Sequence, residues 1–192
     1  MDNTAGSLSQ VQKSVVIGSL LGDGYLRQIK GRKNAFLEIN HSYSQKDYVD
    51  WKYGLLKSLV KSQPKLRKSN GKRYAYRFFT KQHPNLTKIY QKFYVNGIKV
   101  VPKISINPLI LAIWYMDDGS KCRSSDIYLN TQQFDLINQK RLIKLLLSLD
   151  LEARLNKDKD YYRLRFLKSS INNLKNLIDK YIIPSMRYKL DL

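Results

Sequence analysis

Residues 36–59 lie on residues 126–149 without a gap at an offset of 90, matching Asn40 with Asn130, Leu55 with Leu145, Leu56 with Leu146, Ser58 with Ser148 and Leu59 with Leu149. At an offset of 88, residues 77–94 lie on 165–182, matching Arg77 with Arg165, Phe78 with Phe166, Leu86 with Leu174 and Lys92 with Lys180. Self-similarity at a fixed period is the signature of duplicated structural units. It restricts a chain of 192 residues to two copies of one small unit that share a core. The halves are expected at residues 1–99, with a short tail at 1–7, and at 100–192.

The elements read from hydrophobic periodicity follow one order twice. Leu8, Val11, Val15, Gly18 and Leu21 predict a helix with Ser7 as N-cap, ending at Asp23. The stretches "YLRQI" and "AFLEINH" alternate as strands around the basic turn "KGRKN". A helix is expected from about Lys46 to Ser62, then a hairpin around Asn70-Gly71, then a helix from Pro84 to Tyr94. The series restarts with a helix over 107–116 that ends at Asp118-Gly119. A strand in "DIYLNTQ", a helix from Phe134 to Asp150, a hairpin in "EARLNKDKDYYRLRFL" and a helix from Ser170 to Tyr181 follow. The fold expected is α+β, built from two pseudo-symmetric αββαββα repeats joined through their first helices.

Charge narrows the partners. Thirty-five basic residues against 15 acidic ones give a net charge of +20, which favours a polyanion, with nucleic acid foremost. Cys122 is the single cysteine, so an internal disulfide and a cysteine-rich zinc site are ruled out. His41 and His83 are the two histidines and are not spaced as a metal-binding pair, which argues against a zinc enzyme or a Ser-His-Asp hydrolase. No stretch reaches the roughly 18 apolar residues of a membrane span. The N-terminal "MDNTAGS" lacks the features of a secretion signal. An intracellular protein without a membrane partner is expected.

In so basic a chain, "IGSLLGDGYL" and "LAIWYMDDGS" both end an apolar helix in an aspartate before a glycine. Gly18 and Gly22, four apart, leave one face of the first helix nearly bare, so a partner helix can approach closely. The second helix has Ile113 where the first has Gly18, so its side of the contact must differ. Packing of the pair brings Asp23 and Asp118 together at two helix C-termini, where partial negative charge adds to their repulsion. A divalent cation resolves that conflict. Mg²⁺ suits a site of few carboxylates completed by phosphate oxygens, and it activates a water and stabilises the oxygens of a phosphodiester.

These two segments resemble the paired motifs of LAGLIDADG homing endonucleases, in the monomeric, intron-encoded subclass with both motifs on one chain. The similarity runs from about Val11 to Leu190 and includes "IYLNTQQF", "KVVP" and "YIIPSMRYKL". The resemblance implies two saddle-shaped antiparallel sheets over a long, pseudosymmetric double-stranded DNA target. It further implies cleavage of both strands with 3′ overhangs, a Mg²⁺ cofactor that Mn²⁺ replaces, and a gene carried by a mitochondrion or chloroplast, with a bacterial cytoplasm as the alternative. By position it makes Asp23 and Asp118 the metal-binding acids. Gly22 and Asp117 become contributors of a backbone carbonyl, and Lys99 and Lys189 the basic residues beside the metal-bound water. Asp117 stands where the family motif has alanine and is expected either to add a third carboxylate or to point away. An RNA maturase acting on a group I intron is the alternative on the same scaffold. A non-catalytic nucleic-acid binder shares the charge but leaves the two Asp-Gly ends unexplained.

A DNA-gripping sheet presents cations at alternate strand positions. Arg27, Lys30, Arg32, Lys33, Arg73 and Arg77 are the candidates in the first repeat, and Lys121, Arg123, Arg163 and Arg165 those in the second. Asn40, Asn130, Gln132 and Gln133 are candidate readers of base edges, since amides pair with adenine in the major groove.

Overall fold

Ser9 caps the first helix, α1 (Gln10–Leu21), in a capping box with Gln12, each side chain meeting the other residue's backbone N–H. The cap thus falls two residues later than Ser7, and the helix stops at Leu21 with Gly22 as C-cap, leaving Asp23 beyond its end. The computed structural model describes residues 6–68, 71, 73–122 and 126–190. After α1 come β1 (Tyr25–Arg27), β2 (Phe36–Ser42), α2 (Lys46–Leu56), β3 (Lys65–Lys68), β4 (Tyr74–Phe79) and α3 (Pro84–Phe93). A small hairpin, β5 (Tyr94–Val95) and β6 (Ile98–Lys99), links them to the second series. That series is α4 (Pro108–Asp118), β7 (Gly119–Cys122), β8 (Asp126–Leu129), α5 (Leu136–Leu147), β9 (Ala153–Asp158), β10 (Tyr161–Phe166) and α6 (Ile171–Ile178).

Both halves form an antiparallel four-stranded sheet of the same topology, β1-β2-β4-β3 and β7-β8-β10-β9. The α+β duplication read from the sequence is therefore the architecture of the molecule. Several helices are shorter than their periodicity predicts. The second helix gives way at Leu56 to a 3-10 turn, because Val60 is extended and bridges Thr80. Asp135 caps α5 and moves its start inward from Phe134, while Asp150 turns the chain away in the left-handed region at φ 55°. Of the predicted Asn70-Gly71 turn, Gly71 has φ 68° and Asn70 lies outside the described residues.

At the centre, α1 and α4 pack against each other, and every residue of α4 from Ile110 to Asp117 is buried. A Cβ on Gly18 would lie 2.8 Å from both the Ile110 carbonyl oxygen and the Ile113 Cβ, and one on Gly22 would lie 2.5 Å from the Asp117 Cβ. Two bare positions four apart, Gly18 in α1 and Gly22 at its C-cap, thus receive two side chains four apart on α4. This is how the helices come close although Ile113 replaces a glycine. Gly18→Ala should destabilise the protein by about 1–3 kcal/mol, because backbone cannot swing aside and the helices must part. Gly54→Ala in α2, where an added Cβ has nothing within 4 Å, should instead stabilise by about 0.4–1 kcal/mol. Urea midpoints that move the same way for both would contradict this packing. One apolar cluster runs through both halves, and no helix among the described residues is long and apolar enough to cross a membrane.

Candidate active site

The crossing of α1 and α4 sets the two motif turns side by side. Asp23 follows the end of α1 with its side chain 52% exposed. Asp118 is the last residue of α4 and is mostly buried; its Oδ2 is enclosed with no hydrogen-bond partner. Gly119 follows because a Cβ there would strike the Tyr115 carbonyl. The Asp118 carbonyl accepts from both the backbone N–H and the Nδ2 of Asn130, each at 2.9 Å.

A lysine closes each helix end. Lys99 Nζ donates to the carbonyls of Gly22 and Gly24, both at 3.0 Å. Lys189 Nζ donates to the carbonyls of Met116 and Asp117, at 2.5 and 2.9 Å. Cations at helix C-termini oppose the partial negative charge there. Lys99 is aimed by the β5–β6 hairpin, whose turn residues Asn96 and Gly97 both have positive φ, at 51° and 76°. That geometry is the Asn-Gly turn that matches strand twist. Lys189 lies in a 3-10 segment (Pro184–Lys189) tied down where Tyr115 Oη donates to the Lys189 carbonyl at 2.6 Å. Burial lowers the pKa of both lysines.

The carboxylates shift the other way. Burial first, then the charges of Asp117 and Asp23, push Asp118 up to about 8, against the pull of Lys99 and Lys189. Burial and then Asp117 raise Asp23. Two acids held near one another at helix ends, one with an enclosed and unpartnered oxygen, form a donor set that fits a divalent cation. Because Asp118 is raised from its ordinary value, its contribution to stability is full below about pH 4 and is lost as pH rises towards 8. His41, lowered to about 4 by burial and then by Lys52, has the opposite slope between about 4 and 6.5. Above pH 6.5 only the Asp118 slope remains of the two. In chemical denaturation, metal-free wild type should therefore lose more stability between pH 6.5 and 8 than Asp118→Asn does, and added Ca²⁺ should stabilise the wild type more at pH 8 than at 6.5. A Ca²⁺ effect that does not change with pH would oppose Asp118 as the titrating ligand.

Asp117 does not face the site as a third open carboxylate. Its side chain is fully buried. Oδ1 accepts from Tyr48 Oη and Lys52 Nζ, each at 2.8 Å, and Oδ2 accepts from the Asp23 backbone N–H at 3.3 Å. His41 lies between the acids, Nδ1 3.7 Å from Asp23 Oδ2 and Nε2 3.8 Å from Asp117 Oδ1. Ligand atoms of Asp23, His41 and Asp117 all fall within 4.8 Å of one another, but the Lys52 ammonium already supplies the positive charge at Asp117. His41, Tyr48 and Lys52 are absent from the sequence-derived site. His41 extends the core-facing alternation Leu37, Ile39, His41, and Lys52 lies one turn from both Tyr48 and Leu56 on the buried face of α2.

The proposed DNA-contacting residues divide. On the solvent face of the first sheet, register places Arg27, Asn40 and Arg77 together, with Glu38 3.0 Å from Arg27 and 3.5 Å from Arg77. Exposed Lys65 and Arg67 share that face and extend the candidate set; the alternation in "KLRK" was their signal. Lys30, Arg32 and Lys33 are exposed in the β1–β2 connection, and Arg73 is exposed just before β4. On the second sheet Arg163 lies over the Tyr128 ring at 4.1 Å and reaches Asn130 at 3.5 Å, while Arg165 pairs with Asp126 at 2.6 Å. Lys121 pairs in register with buried Ile127 and so belongs to the opposite face. Arg123 lies outside the described residues. Gln132 donates to Asp158 at 2.9 Å. Gln133 turns towards the two helix ends, its Nε2 3.4 Å from the Gly22 carbonyl and its Oε1 3.4 Å from Lys99.

A duplicated αββαββα chain with an acid at the end of each central helix is the architecture of a two-motif nuclease. The model of the LAGLIDADG DNA endonuclease family matches residues 13–174, and the chain belongs to that family. The cytochrome b mRNA maturase bI2 of Debaryomyces hansenii is 32% identical over 95% of this chain and 74% of its own length. The Saccharomyces cerevisiae protein of the same description is 30% identical over 99% of this chain, which spans about half of it (49%). The probable intron-encoded endonuclease 1 of Wickerhamomyces canadensis is 29% identical over 96% of this chain and 85% of its own length. Among solved structures, the homing endonuclease I-WcaI bound to its DNA recognition sequence matches with a TM-score of 0.89 at 28% identity, covering 97% of this chain and 88% of that one.

Proposed function

We propose that this protein is a site-specific homing endonuclease that breaks both strands of a long DNA target with divalent metal and leaves 3′ overhangs. The observation that carries this reading is the pair of acids at adjoining helix ends, with an enclosed, unpartnered oxygen on Asp118. Asp23 and Asp118 would hold Mg²⁺, or Mn²⁺ in its place, with the Gly22 and Asp117 carbonyls at the same two turns. The ion supplies an activated water and charge stabilisation at the phosphodiester oxygens. Lys99 and Lys189 fix the two helix ends and set positive charge beside the scissile phosphates. Arg27, Arg77, Arg163 and Arg165, with the exposed cations of the β1–β2 connection, would grip the DNA backbone. Units bounded at 1–99 and 100–192 would each take half of the target, so that one chain acts as a monomer. Likeness to an intron-encoded protein supports an organelle gene.

Likeness to two bI2 maturases favours a second reading, in which the same scaffold binds a group I intron RNA. One assay separates the readings: purified protein is incubated with a pooled library of intron insertion sites in Mg²⁺, Ca²⁺ or EDTA. Staggered double-strand breaks in Mg²⁺ alone are the expected result and identify the target. No breaks with any metal, together with tight binding to intron RNA, would replace the endonuclease by the maturase.

A further inference from the structure

The two halves of the site are not built alike. Asp117 reaches from the second motif helix into the first repeat, where Tyr48 and Lys52 meet its Oδ1. Its counterpart in the first motif is Gly22, which has no side chain to send the other way. At the offset of 90, His41, Tyr48 and Lys52 correspond to Thr131, Asn138 and Leu142. Thr131 is bonded to Gln139 at 3.2 Å, Asn138 accepts from the Val101 N–H at 2.7 Å, and Leu142 is fully buried. No cation or phenol stands at those positions in the second half.

Building on the endonuclease reading, we propose that the Asp117 side chain, as distinct from its backbone carbonyl, positions Asp23 and is not a metal ligand. Its carboxylate couples the Asp23 turn to a buried Tyr48–Lys52 anchor that the Asp118 half lacks. Oδ2 receives the Asp23 N–H, and the Asp117 Cβ fills the space over the bare Gly22. The Asp117 side chain therefore bonds the Asp23 amide at 3.3 Å and packs against Gly22 just before it. Asp23, beyond its helix and half-exposed, has no intrahelical bond to hold it. Asp118 sits in the helix, with its carbonyl fixed by Asn130.

The charge-balanced double variant Lys52→Met/Asp117→Asn tests this. With its oxygen still facing the Tyr48 hydroxyl, the asparagine turns an NH₂ group towards the Asp23 N–H, donor against donor. In metal-free protein the Asp23 amide should exchange about tenfold faster, while the amides of Asp118 and Gly119 stay unchanged. On supercoiled plasmid carrying the target, with Mg²⁺, the variant should accumulate nicked circles with all nicks on one strand and bind DNA as the wild type does. Tyr48→Phe, which deletes only the hydroxyl, should show the same one-sided pattern more weakly and serves if the double variant does not fold. Unchanged Asp23 exchange, equal acceleration in both turns, or nicks shared between strands would overturn the proposal. Should the wild type cut no DNA, the endonuclease reading fails, and the exchange measurement still decides the role of Asp117.

Discussion

Replacing Asp23 and Asp118 together by asparagine should reduce cleavage by at least about a thousandfold, a loss of about 4 kcal/mol of transition-state stabilisation, with DNA affinity nearly unchanged. Asparagine keeps the shape of each side chain but removes the anionic oxygens that fit a divalent cation. On the proposed reading, DNA is gripped by many basic side chains of two sheets, so the loss of two acids, which themselves repel phosphate, should leave affinity largely intact. Stability offers an internal control. Asp118 is enclosed, its Oδ2 has no partner, and its pKa is pushed up to about 8, so neutralising it relieves an unfavourable interaction. The variant should unfold in urea no earlier than the wild type at pH 8. A variant that loses binding and cleavage to the same extent would refute the catalytic assignment.

Lys52→Met should be among the most destabilising single changes in the molecule. Lys52 and Asp117 are both fully buried and 2.8 Å apart. Removing the lysine strands a carboxylate in the core, which typically costs about 3–5 kcal/mol. That is a large share of the roughly 5–15 kcal/mol by which a domain is stable. Adding Asp117→Asn removes the stranded charge and should restore much of the loss. A double-mutant cycle read from urea midpoints reports the coupling directly. Strictly additive effects would mean that the two groups do not depend on each other.

The repeat order and the two adjoining Asp-Gly helix ends were legible because they rest on local signals: hydrophobic period, turn residues and an acid before a glycine. The Asn-Gly pair at 96–97 was equally local, and it marks the hairpin that aims Lys99. What escaped is carried by contacts between distant segments. Asp117 meets Lys52 across 65 residues and the Asp23 amide across 94. No spacing within one element reports such pairs. The nearest clue was a polar residue on a buried face, as with Lys52 one turn from Tyr48. Gln133 likewise meets the Gly22 carbonyl across 111 residues, a contact that its place just after a strand does not announce. Lys121 shows how register decides a face that composition leaves open.

The fit of Ile113 and Asp117 into the bare positions at Gly18 and Gly22 has a consequence for the descent and the engineering of such chains. Two copies of the second half would set isoleucine against isoleucine and aspartate against aspartate. Two copies of the first would set glycine against glycine, a pairing that calls for a closer approach of the helices than Ile113 and Asp117 allow here. The seam is thus cut asymmetrically, each central helix shaped to the other and not to a copy of itself. Anyone recombining halves from different relatives would therefore need to transplant the two central helices as a matched set, and could then vary the outer sheets around them.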